Sequence, residues 1–457
     1  MRKLPARHVV LVTLASISLL ATGCSAGSGT SPSTAAEAQH PTSIANPDPS
    51  PSRQLAVAGV PDGKPTAVAR AGGDGQAKKS PLKVASYDRG SRRAVISSAQ
   101  KPPSGATPAG DTPAAGDIIA SGPAPGAPDG LLAKVTDVAG KTEKGTEVKT
   151  EPATLSALLG DDKAQGTVPV DPATVDVEPL VQGVKVSWAK AGNIHVGPQG
   201  AKLPLGSLRI DVGAAVPLPV TEGAPVAGAA SVAGYVQLAP EVEFSYDGSS
   251  VLTPDAAFLG LTGDWTSQWQ LKGKAVAGGK PVRIPFAKLH ADPVIQVGPV
   301  PVVVNLDLTA YAQVAADGTV TVDIKQDLKG DFRIGGSYSK SGGWKPVSTS
   351  DMTSTPVRAK VTAAGKVKAA LGAEATVGLY GAVGVTADLA PYLRGEATAA
   401  ATPGAVVGAW KIYGGVDLTG WLQLQLSIFG TPVLQHRIPL GSLHREWPLA
   451  HGEGAVA

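Results

Sequence analysis

The chain has 457 residues, with 56 glycines, 39 prolines and only 4% aromatic residues. Its single cysteine excludes a disulfide framework, a cysteine-based zinc site and a CxxC redox pair. A net charge of +3, from 40 basic and 37 acidic residues, excludes a strongly polybasic nucleic-acid binder, and 17% charged residues is too few for charge-driven disorder.

The N-terminus carries the pattern of an export signal. Arg2, Lys3 and Arg7 are positive, and Val9 to Leu20 form an apolar run of about a dozen residues. A permanent membrane helix needs about 20 apolar residues, so this run is too short to be one. Small residues and the cysteine follow, as Leu20-Ala21-Thr22-Gly23-Cys24. This stretch resembles the lipobox of bacterial lipoproteins, a resemblance confined to about the first 25 residues. Ala21 stands where leucine is more typical of that motif. The resemblance implies that residues 1–23 are a signal peptide and that Cys24 is lipidated on its thiol and becomes the mature N-terminus. It places the protein on the outer face of the cytoplasmic membrane or at the cell surface. Two or more acyl chains hold a protein there stably, where one holds it only marginally.

Residues 24–127 are rich in Pro, Ala, Gly and Ser, as in Asn46-Pro-Asp-Pro-Ser-Pro-Ser52, and Tyr87 is the only aromatic residue before Trp188. Such a segment buries too little apolar area to offset its ordering entropy, which predicts a disordered tether. As a flexible coil, a hundred residues reach roughly 55 Å on average. Lys78, Lys79, Arg89, Arg92 and Arg93 form a loose basic cluster, read as solvated linker charge rather than attachment to anionic lipid or teichoic acid. Order is expected from near Leu131, with Val135 and Val138 following, and a short helix from Ala153 to Leu159 closed by Gly160.

From about residue 165 the apolar residues alternate with period two, and turn residues separate the runs. Val242, Phe244 and Tyr246 alternate in this way, as do Val367, Ala369, Leu371, Ala373, Ala375, Val377 and Leu379, and then Leu422, Leu424, Leu426 and Ile428. Residues 303–325 read as a hairpin turning at Asp317-Gly318, a pair suited to tight turns. The expected fold class is all-β, in antiparallel sheets of sandwich or barrel-like form. Two similar frames, Leu261-Thr-Gly-Asp-Trp265 to His290 and Leu418-Thr-Gly-Trp421 to His444, each contain Arg-Ile-Pro and end on Leu-His. They point to an internal duplication with β units over 128–290 and 291–457. Pro285 and Pro439 cannot donate to a ladder and are expected at strand ends or sheet edges.

His290 and His444 occupy matched places, each followed two residues later by an acid, Asp292 and Glu446; Arg209 and Asp211 repeat the pattern. Residues i and i+2 share a strand face, so each pair can form a contact. Arginine in one copy favours an ion pair over acid–base chemistry, because arginine does not act as a base. No HExxH, GxSxG, GxGxxG, P-loop or EF-hand pattern occurs. No catalytic residue, metal ligand or cofactor is therefore nominated. Trp265 and Trp421 are expected as core anchors. Trp344, in Ser341-Gly-Gly-Trp-Lys345, is the tryptophan expected to be exposed and available for binding. The expectation is a membrane-anchored lipoprotein with a non-catalytic β body that binds or organises envelope material. Its partners would be the membrane, through Cys24, and cell-wall glycan or an envelope protein, with no nucleic acid. The alternatives are an extracellular hydrolase of envelope glycan, which needs two carboxylates close together in a cleft, and a carrier of a lipid or other apolar ligand.

Overall fold

In a computed structural model, the structure describes residues 53–59, 65–71, 76–98, 112–171, 174–181, 184–189, 195–197, 200–202, 207–217, 229–248, 253–278, 281–355, 359–362, 365–402, 405–423, 428–431 and 437–455. The expected signal segment, Cys24 and the first part of the expected leader lie outside these residues, as does the expected alternation over Leu424 and Leu426.

Among the described residues the fold is all-β and antiparallel in its main ladders, without a closed barrel. The one α-helix among the described residues, Ser156–Leu159, sits within the predicted span and ends on Gly160 at φ 58. A seven-stranded sheet runs in the order Lys78–Lys79, Thr66–Ala69, Ile118–Ser121, Leu131–Thr142, Gly145–Pro152, Arg93–Ser98, Leu82–Asp88. Most of these strands fall inside the span read as tether, so the boundary at 127 moves back and strands begin at Gln54. The aromatic poverty of this span was misleading. The core of this sheet is aliphatic, with Leu82, Ala94, Ile96, Ile119, Val135 and Val148 almost wholly buried and Tyr87 packed against it. Leu131 and Val135 are buried as expected, whereas Val138 is exposed.

The second sheet, of nineteen strands, is organised around Val300–Ser339, a single strand of 40 residues. Here Asp317-Gly318 is not a turn. Asp317 pairs with Gly278 on one side and Lys366 on the other, where those two ladders overlap at their ends, and the strand runs on through both residues. Two partners in register outweigh the local preference of Asp-Gly for a turn. A straight strand of this length would reach roughly 130 Å. Instead, its two halves share one core: Leu306, Leu308, Ala310, Ala312 and Val314 cluster with Leu328, Phe332, Ile334 and Tyr338. All of these are even-numbered, so the same face points inward in both halves. At the far end a Cβ on Gly336 would lie 3.1 Å from Leu422, which stands in the opposite layer. The long strand thus bends and belongs to both layers of a folded-over sheet.

The two proposed β units are continuous across their boundary. Strand Pro254–Gly278 pairs with the second half of the long strand, from Ala256↔Ser339 to Gly278↔Asp317, and Val282–Ala291 pairs with the first half. Ala67, Ala69, Ala120 and Leu132 of the smaller sheet join the same core.

Candidate functional site

Strands Val282–Ala291, Val300–Ser339, Gly365–Leu379, Ala382–Thr402, Ala405–Leu422 and Leu443–Ala455 lie side by side. With Val367, Leu371, Val377 and Leu379 turned into the core as the alternation predicts, the opposite side chains form one broad outer face.

Two units of the same plan stand on this face. Tyr311 lies against Gly372, where a Cβ would sit 2.3 Å from the ring. Its hydroxyl donates to Asp388 at 2.5 Å, and the Arg283 guanidinium rests 3.5 Å from the ring centroid. Tyr392 lies against Gly415 in the same way, with a Cβ at 2.2 Å. It donates to Glu446 at 2.9 Å and carries the Lys368 ammonium 3.7 Å from its centroid. Each ring is closed by a glycine below and a cation above, an attraction of the ring face for positive charge. Neither ring is open to a ligand. Burial pushes the Tyr311 phenol up, and the Asp388 carboxylate adds to the effect. Burial also raises the Asp388 carboxyl, opposed by the bonds from Tyr311 and Arg283. The Glu446 carboxyl is held low, chiefly by its bond from Arg394.

Glu374 and Asp388 are direct cross-strand partners on this face, as Asp264 and Asp331 are elsewhere in the sheet. Arg283 bonds both, at 2.9 Å to Glu374 and 3.0 Å to Asp388. Its guanidinium occupies the space between them that a water or glycosidic oxygen would need.

The two matched histidines each meet an aspartate across the ladder. His290 Nδ1 is 2.7 Å from Asp307 and Nε2 is 3.0 Å from Asp292. His444 Nδ1 is 2.6 Å from Asp417, which also accepts from Lys368 at 2.6 Å. The expected i, i+2 contact is therefore made by His290 with Asp292. Glu446 turns instead to Arg394 and Tyr392. Arg209 bonds Asp211 at 3.0 Å and rests 3.6 Å from the Tyr235 centroid. The bond to Asp307 raises the His290 pKa, against the opposing effect of burial. Asp176 flanks His290 on its other side, and a cleft of about 370 Å³ opens among Asp176, Glu178, Lys288, His290 and Asp307. Among the described residues no group of three or more His, Cys, Asp or Glu side chains is placed to hold a metal ion.

Trp344 is not exposed. It is the first inward-facing residue after the turn at Ser339–Gly343 and lies opposite Tyr338 in the ladder. Its ring is 5.5 Å from those of Tyr338 and Phe429, and its Nε1 donates to Thr431 at 2.9 Å. The loop-like Ser-Gly-Gly concealed a strand start. Trp265 is a core residue as expected, at 1% exposure, but Trp421 is 39% exposed. The sequence frames already contain the reason. Trp265 lies four places after the buried Leu261, and Trp421 lies three places after the buried Leu418. Loss of one residue reverses the face on which a strand side chain falls. The glycines of both frames are closely packed, with a Cβ meeting the Ala239 oxygen at 2.2 Å and the Thr386 oxygen at 2.3 Å.

Trp421 therefore projects from the polar face. Thr386 lies directly across from it, Thr419 shares its face, Gln423 donates to the Thr386 hydroxyl at 3.2 Å, and the Arg437 guanidinium is 5.5 Å from its centroid. No family model, curated protein or solved structure matches the chain.

Proposed function

We propose that the protein is an extracytoplasmic lipoprotein, anchored in the membrane through Cys24, whose non-catalytic β body binds cell-envelope glycan on its outer sheet face. The observation that carries the binding reading is Trp421, an exposed indole on a polar sheet face. Such a ring offers a flat apolar face to a sugar, and Thr419, Gln423 and Arg437 supply hydrogen-bonding groups around it. The non-catalytic reading draws on the arginine clamp across Glu374 and Asp388. The anchor rests on the lipobox resemblance.

The test is a fluorescence titration of the full chain carrying Cys24→Ser with soluble fragments of cell-wall glycan. Saturable binding, weakened about tenfold or more by Trp421→Ala, is expected; tenfold corresponds to about 1.4 kcal/mol. Binding that survives Trp421→Ala unchanged would remove the indole from the site.

A further inference from the structure

The geometry points to a second binding site, for a long-chain carboxylate, in the cleft where the seven-stranded sheet meets the large one. This cleft has a volume of about 490 Å³ and is lined from one side by Tyr87, Arg89 and Leu132 and from the other by Tyr380 and Ile428. That volume falls within the usual range of small-molecule sites, which often form where two structural layers meet.

Its polarity is divided as an amphiphile's is. The apolar wall is contributed by Leu132, Ala153 and Ile428, and the polar groups beside it are already bonded. The Leu155 amide donates to the Ile428 carbonyl at 2.6 Å, and the Thr154 and Ser156 hydroxyls are 3.0 Å apart. The cation stands at the rim. Arg89 is 56% exposed at its side chain and is held there by one bond to Asp129, which packs against Gly381. A guanidinium has five N–H donors in a planar fork, so one bond leaves donors to meet a carboxylate.

Tyr380 is the independent observation. It and Gly381 form the two-residue turn between Leu379 and Ala382, with φ of 50 and 79. Such a turn favours Asn-Gly, and a bulky residue with positive φ is unusual. The tyrosine makes the wall of the cleft and donates to the Pro301 carbonyl. A residue unfavourable for the turn is thus placed where it shapes the cavity.

The probe is dodecanoate, kept below its micellar concentration and titrated calorimetrically into the full chain carrying Cys24→Ser. One saturable site is expected. Arg89→Gln should weaken it about tenfold to a hundredfold, the range for a lost hydrogen bond to a charged group. Ala153→Phe should abolish it by filling the apolar wall, with the melting curve of each variant confirming its fold. Dodecanol should bind at least tenfold more weakly than dodecanoate. No saturable binding, equal binding of the alcohol, or binding indifferent to both substitutions would each overturn the site. So would association only with phosphatidylglycerol vesicles, which would indicate a membrane-surface contact. Trp421→Ala should leave dodecanoate binding unchanged, which separates this site from the glycan face.

Discussion

The ring-on-glycine units of the outer face make a sharp prediction at Gly372. A methyl group there would lie 2.3 Å from Tyr311 Cζ and 2.4 Å from its hydroxyl oxygen, where ordinary contact begins at 3.4 Å. The ring would have to lift by about 1 Å, against an Arg283 guanidinium only 3.5 Å from its centroid. Lifting also draws the hydroxyl away from Asp388, now at 2.5 Å. A hydrogen bond to a charged acceptor contributes about 1.5–3 kcal/mol, and overpacking adds about 1–3 kcal/mol. Gly372→Ala should therefore cost about 3 kcal/mol or more in equilibrium urea denaturation. If the collision with the ring is the cause, the same change in a Tyr311→Ala background should cost under about 1 kcal/mol, giving a large coupling in the double-mutant cycle. Equal costs in both backgrounds would refute the reasoning and assign the penalty to the strand backbone.

Other outcomes follow from the same geometry. Ser267 is buried and its hydroxyl has no hydrogen-bond partner, so Ser267→Ala should raise the urea midpoint by an amount equivalent to about 1 kcal/mol; a loss of stability would contradict this. His290 should titrate in an NMR experiment above its ordinary value near 6.5, and Asp307→Asn should lower it again. Because the folded pKa is the higher one, the stabilisation from this histidine is complete below about pH 6.5 and disappears as the pH rises through the raised value. A native value at or below 6.5 would contradict the contact. Cys24→Ser should abolish incorporation of labelled fatty acid and move the protein from the membrane to the soluble fraction; unchanged fractionation would remove the anchor.

Much of the fold was legible in the alternation. The inward set from Val367 to Leu379 and the buried Val242, Phe244 and Tyr246 follow directly from period two, because a half-buried strand has to bury every second residue. What misled were local signals that tertiary pairing overrode. Asp317-Gly318 favours a turn in isolation, but ladders on both sides hold it in a strand. Ser341-Gly-Gly suggests a loop, yet the next residue, Trp344, is already in register with Tyr338. In the leader span, low aromatic content suggests the lack of a core, although alanine, valine, isoleucine and leucine suffice for a small sheet. The exposed position of Trp421 was encoded in its three-residue spacing from Leu418 and is recoverable by parity alone. The tyrosine–glycine–cation units were not recoverable, because they join residues on strands whose register the sequence does not state.

The most direct test of the account is retention of the full chain carrying Cys24→Ser on purified cell walls, before and after glycan digestion. A fragment beginning at residue 128 would not serve, since it would remove Ile118–Ser121 from its pairing with Leu131–Thr142. The account predicts retention that glycan digestion abolishes and that Trp421→Ala strongly reduces. Absence of retention, or retention that persists after digestion, would contradict glycan binding by the outer face.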